Sequence, residues 1–573
     1  MTTTSPLPRR SVLRAMTVAA ALGCAAPGSV PGAAALAAAP GTEPQSQSHP
    51  RTETEAETKS ETATETRAAT ETYTLTVRHL GRDGRVPRHY RTSVTGISGP
   101  GAGRSEQPHD ASGTASVRLP GGRYLLESSL WTDRVEDGTD WIVQPRLDLD
   151  RDTTVTVDAR TALPVDVTPP DGPAAFLNSG MFVEVTHEGA TRMTSIVKAT
   201  PTLRTAHLGP EAEAGSVKQW YDSYWRTRTG GYALGRTFSG TRVLTGFVHH
   251  CTAAELAALE LRAVARPDSA GAGTGTGTGA GTGAGTGTAG IDLSPTLGPD
   301  AGPSVGASWT MPVPGTAVLF VTPQRGAWDL AWTAPAAPGA RPRSYFVDAL
   351  AVRAGTTATH TFDGPVVGPA LTGRDGVERD GDTLTADLPL LADGDGHVPT
   401  APSFDTAWAG LYRDGVLLHA RSGGLDRATF TVPPGPSSYR LAATVARRGS
   451  TGATTRLSVS WTFRSATTAG STPVPVSVVR FSPGLGLDGT APAGRPLRVP
   501  VTVQGAAADG RLRSLTVSMS ADGGRSWTVL PVHEGAVTVP GPAAGTAVSL
   551  RAELTDTDGN TLDQTLVDAY RTG

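Results

Sequence analysis

The sequence predicts an all-β chain of several tandem antiparallel β-sandwiches, and three observations carry that expectation. Gly (69) and Pro (45) make up about a fifth of the 573 residues, and helix formers other than Ala and Leu are scarce, a balance that favours short strands and turns. Segments such as Thr72-Tyr73-Thr74-Leu75-Thr76-Val77 and Thr153–Asp158 alternate polar and apolar side chains, the period of a half-buried strand. Asp-Gly pairs at Asp83-Gly84 and Asp414-Gly415 stand where a chain would reverse into a hairpin. A length of 573 residues accommodates three or four such domains.

Taken in order, residues 1–37 read as an export signal. Pro8-Arg9-Arg10-Ser11-Val12-Leu13-Arg14 resembles the twin-arginine export motif through Arg9 and Arg10. A short apolar run and small residues ending in Ala35-Leu36-Ala37 follow. That run is too short to span a membrane stably. Cys24, in Ala21-Leu22-Gly23-Cys24, offers lipid anchoring as an alternative; if it leaves with the signal, Cys251 is the sole thiol and no intrachain disulfide forms. Residues 38–71 are Thr/Glu-rich without apolar periodicity, the composition of a disordered linker.

A small sandwich is expected at 72–165. A β-rich domain is expected at 166–368, interrupted by a Gly/Thr linker at 271–290. Its one helical signal is Thr252-Ala253-Ala254-Glu255, a capping-box pattern that opens at most a short helix. A further sandwich at 369–470 contains the Leu411–Leu418 hairpin. It also contains a strand that puts Leu457, Val459, Trp461 and Phe463 on one face. The Ser/Thr/Pro stretch Ser465–Pro475 separates it from a last, immunoglobulin-like sandwich at 471–573. Sandwiches of immunoglobulin-like or prealbumin-like type suit this row of strands.

A formal charge of −3, with Lys59, Lys198 and Lys218 the only lysines, gives no bulk electrostatic reason for a nucleic-acid or membrane-surface partner. Ser520-Ala521-Asp522-Gly523-Gly524-Arg525-Ser526-Trp527 fits the Asp-box S-x-D-x-G-x-x-W. Its Ser520, Asp522, Gly524 and Trp527 are read as a structural hairpin. His249-His250-Cys251 is the one cluster of soft ligands. Neighbouring histidines on a strand face opposite ways, so the expectation is a strand end with one His outward and Cys251 buried, with no metal assigned. Asp393-Gly394-Asp395-Gly396-His397 lacks the closing Glu of a calcium loop and is read as a polar turn. The aromatic segment Trp220-Tyr221-Asp222-Ser223-Tyr224-Trp225 is either core or a platform; as a platform, Trp220, Tyr221, Tyr224 and Trp225 form the expected binding surface.

Val548-Ser549-Leu550-Arg551-Ala552-Glu553-Leu554-Thr555-Asp556 and the phrase that runs on to Tyr570 resemble the C-terminal accessory module of large actinobacterial subtilisin-like serine peptidases. Thr72–Val77, Val117–Tyr124, Phe362–Pro365, Leu411–Gly415, Trp461–Ser465 and Val479–Pro483 resemble further landmarks of those proteins, in the same order. The peptidase strings D-S/T-G, H-G-T-H and G-T-S-M-A are missing, as are H-E-x-x-H and Walker A. Nucleophilic catalysis needs a base held against a hydroxyl, so no catalytic residue and no cofactor is assigned. The resemblance implies a secreted, non-catalytic accessory protein. It would bind extracellular protein, peptide or cell-wall polymer, or assist a separately encoded protease. Part of a split or degenerate peptidase, and a carbohydrate-binding surface protein, are the alternatives.

Overall fold

The computed structural model describes residues 71–265, 287–296, 302–335, 342–373, 375–447 and 453–573. The expected export signal with Arg9, Arg10 and Cys24, nearly all of the Thr/Glu linker, and most of the Gly/Thr tract lie outside them. Among the described residues the fold is all β: strands interrupted only by short 3-10 turns, arranged as packed β-sandwiches. No described helix is long and apolar enough to cross a membrane. Most strand pairs are antiparallel, but six neighbouring pairs run parallel, for example Thr72–Leu80 with Thr153–Asp158.

The first half stacks four sheets. Sheet 1 holds Thr114–Pro120, Thr72–Leu80 and Thr153–Asp158, in that order. Sheet 2 runs Phe247–His250, Leu163–Thr168, Leu203–His207, Thr139–Leu149, Gly122–Trp131, His89–Ser98 and Ser105–Glu106. Sheet 3 runs Ala190–Lys198, Ala175–His187, Val217–Thr227, Gly230–Gly240, Gly315–Val321, Ala257–Ala263 and Thr357–Phe362. Sheet 4 holds Ala307–Val313, Gly287–Pro295, Ala327–Thr333 and Ser344–Ala351.

Strand alternation assigns each side chain to one layer. Leu126 and Ile142 join Leu75 and Val77 between sheets 1 and 2. Their neighbours Leu125, Trp141 and Val143 meet Met181, Val183 and Tyr221 between sheets 2 and 3. Tyr224, Leu259 and Leu319 then pack on Ile291, Trp309 and Trp332 between sheets 3 and 4. Sheets 2 and 3 are therefore covered on both faces, which is why their strands carry consecutive apolar residues rather than clean alternation.

Several local readings change in this setting. Asp83-Gly84 does form a turn, with Gly84 at φ +78°, but the chain leaves sheet 1 there and enters sheet 2, so it joins no hairpin. Gly287–Gly290, expected within the flexible tract, starts a strand of sheet 4 that pairs with Val313–Thr310 and buries Ala289. The partner strand Ala307–Val313, joined at Gly290 by Ala327–Thr333 on the other side, supplies the pairing its composition does not suggest. The capping box at Thr252 and Glu255 forms, but it caps only the 3-10 turn Ala253–Glu255, and the chain at once becomes the strand Ala257–Ala263.

The second half is organised around one long sheet. Sheet 6 runs Val416–Ser422, Thr406–Arg413, Ser437–Ala446, Arg456–Ser465, Thr561–Thr572, Ala547–Asp556, Leu512–Ser520 and Thr528–Leu530. Thr406–Arg413 and Val416–Ser422 form the hairpin around Asp414-Gly415, whose φ values are +49° and +85°, as a two-residue hairpin turn of this type requires. Leu457, Val459, Trp461 and Phe463 are all buried. The Ser/Thr/Pro stretch does not separate two bodies: Thr468–Val474 is the edge strand of sheet 5, which runs Leu425–Thr431, Thr383–Leu388, Gly376–Gly381 and Thr468–Val474. Arg456–Thr462 pairs with Val567–Thr561, so the last two sandwiches share sheet 6 and one continuous core.

Candidate functional site

The aromatic segment of residues 220–225 lies in the middle of sheet 3 and offers no platform. Trp220 (2% exposed), Tyr221 and Tyr224 are buried and Trp225 is half-buried. Alternation sends Tyr221 toward sheet 2 and Tyr224 toward sheet 4, and both directions are occupied. Trp225 packs edge-on against Phe176, and the Tyr224 hydroxyl donates to Val305 O. Burial pushes the Tyr221 hydroxyl up to about 12. Between Trp220 and Tyr224 on the same face, Asp222 accepts from Arg325 Nε at 2.8 Å, with both side chains fully buried. Burial raises the Asp222 carboxyl to about 6 despite the opposing pull of Arg325. This segment is core.

The Asp-box residues close a surface hairpin. Asp522 accepts from Arg525 N at 2.9 Å, Ser526 N at 3.0 Å and Ser520 Oγ at 2.6 Å. Gly524 has φ +86°, and the Trp527 ring lies beneath it. The bonds from Ser520 and Ser526 hold the Asp522 carboxyl well below its ordinary range. The exposed Asp522 carboxylate is thus engaged by donors of its own turn. The Asp393–His397 stretch is likewise closed: Asp393 is buried and accepts from Asp395 N, His397 N and Asp363 N.

Among the described residues, a cleft of about 600 Å³ opens at one end of sheets 1 and 2. One wall is Trp131, the last residue of Gly122–Trp131 and 38% exposed. Its register partner is His89, whose ring stacks on the indole at 5.8 Å and 18°. His89 Nε2 and Arg88 both reach Asp133, each at 2.6 Å. The His89 bond is the first cause that holds the Asp133 carboxyl below its ordinary value.

The floor is Asp140, buried in Thr139–Leu149. It accepts from Arg82 Nη1 at 2.8 Å and Arg204 Nε at 2.5 Å. Arg204 also donates to Asp137 O at 2.6 Å and Arg82 to Ala159 O at 3.0 Å. Gly138, at φ +74°, lets the rim approach the neighbouring chain: a Cβ there would lie 2.3 Å from Thr202 O. The Arg82 side chain remains about half exposed (47%) and lines the cleft.

Sequence reasoning passed over Trp131, Arg82, Asp140 and Arg204. The available signal was positional: Trp131 is followed at once by Thr132-Asp133, so it falls at a strand end rather than mid-sheet. The pairing of Arg82 and Arg204 across Asp140, 58 and 64 residues away, has no local signature.

No family model matches the chain, and no curated protein matches it. Solved structures do. They include the Bacillus anthracis TIE protein, at 11% identity over 51% of this chain and 50% of that one, with a TM-score of 0.12. BcpA, the major pilin subunit of Bacillus cereus, matches at 8% identity over 51% of this chain and 99% of that one, with a TM-score of 0.11. Sidekick-1 immunoglobulin domains 1–5 match at 10% identity over 83% and 91%, with a TM-score of 0.10. The chain spans half the length of the first of these. Scores this low bear on no residue or activity of this chain.

Proposed function

We propose that this chain is a secreted binding protein, related to the accessory region of subtilisin-like peptidases, that holds an extended segment of an extracellular protein or peptide in the Trp131 cleft. The observation that carries the reading is the coexistence of an exposed indole with a half-exposed arginine over a buried carboxylate. Val86, Pro87 and Trp131 suit an apolar side chain, and Arg82 suits a carboxylate or a backbone carbonyl. Rim charges of both signs, Arg88 against Asp83 and Glu136, match a peptide better than a neutral polymer. The export reading rests on Arg9-Arg10 and the apolar run behind them.

The test is a peptide-array screen with the purified chain, followed by affinities for the Trp131→Ala and Arg82→Ala variants. Retention of a peptide family with at least about tenfold loss in both variants supports the reading. Retention unaffected by either variant places binding elsewhere and sinks it. Retardation on cell-wall polysaccharide, abolished by Trp131→Ala, would move the ligand to a glycan. Labelling by a serine-hydrolase probe, abolished by one Ser→Ala change, would replace binding with catalysis.

A further inference from the structure

On the other half of the two central sheets, the only cluster of metal-ligating groups among the described residues is His249, Cys251 and Glu255. Its origin is local. Phe247–His250 alternates, so His249 and Cys251, two apart, share a face, while His250 turns outward and bonds Thr168 Oγ1. Cys251 N is tied to Thr168 O at 2.9 Å, which fixes the end of the strand. The 3-10 turn then reverses the chain. Glu255 Oε1 accepts from Thr252 N and Thr252 Oγ1, both at 3.1 Å, which leaves Oε2 aimed back at His249 Nε2, 2.8 Å away. The ligand atoms of the three residues lie within 4.8 Å of one another. The cap thus brings Glu255 back to the other two.

A cation of the chain already lies among them. Arg236 Nη2 contacts His249 Nε2 and donates to Glu255 Oε2 at 2.8 Å, and its charge lies near the Cys251 thiol. Yet Arg236 is poorly served in return, because its Nε is buried with no partner. An unpaired buried donor is costly. The His249 and Glu255 side chains are about a quarter exposed, so the group opens to solvent on one side.

We propose that His249, Cys251 and Glu255 form a three-ligand site for a thiophilic divalent cation of the Zn²⁺ type, and that Arg236 is its resident competitor. A thiolate, an imidazole and a carboxylate are zinc donors, and three protein ligands leave a fourth position to water. Charge balances in both states. With Arg236 in place, its positive charge meets the Glu255 carboxylate while the thiol keeps its proton. With the divalent ion bound, Cys251 releases that proton to solvent, and thiolate plus carboxylate neutralise the metal as Arg236 swings out. The hydrogen bonds from Thr252 orient Glu255 in the way outer-shell partners orient a metal ligand.

Co²⁺ titration of the full chain, carried in a Cys24→Ala background so that Cys251 is the sole thiol, tests this. A thiolate-to-cobalt charge-transfer band that Zn²⁺ displaces is expected. Cys251→Ser should abolish the band, and Glu255→Gln should weaken binding about tenfold or more. Arg236→Gln should strengthen it by a similar factor, an outcome that a purely structural ion pair would not give. The absence of a thiolate band in the parent at saturating Co²⁺ overturns the proposal whether or not any variant folds. A band that survives Cys251→Ser, or binding indifferent to Arg236→Gln, overturns it as well.

Discussion

Trp131 and Trp220 belong to neighbouring central sheets and meet opposite fates. Trp220 lies mid-strand in sheet 3, where both faces are covered, and is 2% exposed; Trp131 ends a strand of sheet 2 and is 38% exposed. The carboxylates beside them differ in the same way. Asp222 is sealed with Arg325, both at zero exposure, whereas Asp140 shares its two arginines with an open cleft. Residue type does not separate the two pairs. Position along the strand does: Trp131 and Asp140 stand at strand ends beside the cleft, whereas Trp220 and Asp222 lie mid-strand between covered faces.

The comparison breaks most sharply at the sealed pair. Asp222→Ala should destabilise the first half by about 3–5 kcal/mol, since it leaves the Arg325 charge buried without its partner; urea unfolding measures this. Trp220→Ala should cost a similar amount, about 3–5 kcal/mol, through the cavity it opens. Trp131→Ala, by contrast, should change stability by less than about 1 kcal/mol while it lowers peptide affinity about tenfold or more. Equal losses of stability in the two tryptophan variants would remove the distinction between core and cleft.

A smaller effect sharpens the electrostatic side. The folded carboxyl of Asp222 is raised to about 6 from an ordinary 3.8. The folded state therefore holds this proton more tightly, and the stabilising contribution is complete below the unfolded value and lost as pH rises through about 6. Between pH 4 and 7 the parent should lose stability relative to Asp222→Asn. Parallel pH profiles for the two proteins would show that Arg325 keeps the carboxyl ionised throughout. The smallest expected change is at Arg204→Ala. It leaves Arg82 to hold Asp140 alone and should lower peptide affinity only a few-fold, as measured by the same binding assay.

Legibility in the sequence followed the range of the interactions. The fold class was readable because strand alternation and turn chemistry act over a few residues, as at Thr72–Val77 and Asp414-Gly415. The Asp-box was readable for the same reason, since its hydrogen bonds span at most four residues. The aromatic segment stayed open between core and platform in the sequence, because alternation says which side chains share a face but not whether that face is covered. Consecutive apolar residues such as Trp141-Ile142-Val143 were the sign of a sheet covered twice.

By itself, then, the sequence determined an all-β chain, its hairpin at Asp414-Gly415, its capped turn at Thr252 and the side of the strand on which His249 and Cys251 stand. Tertiary structure decided which sheets would be interior, which tryptophan would meet solvent, and that Asp140 would gather two distant arginines. The physical reason is that local backbone geometry fixes direction, while exposure and charge pairing depend on what other segments bring to the same place.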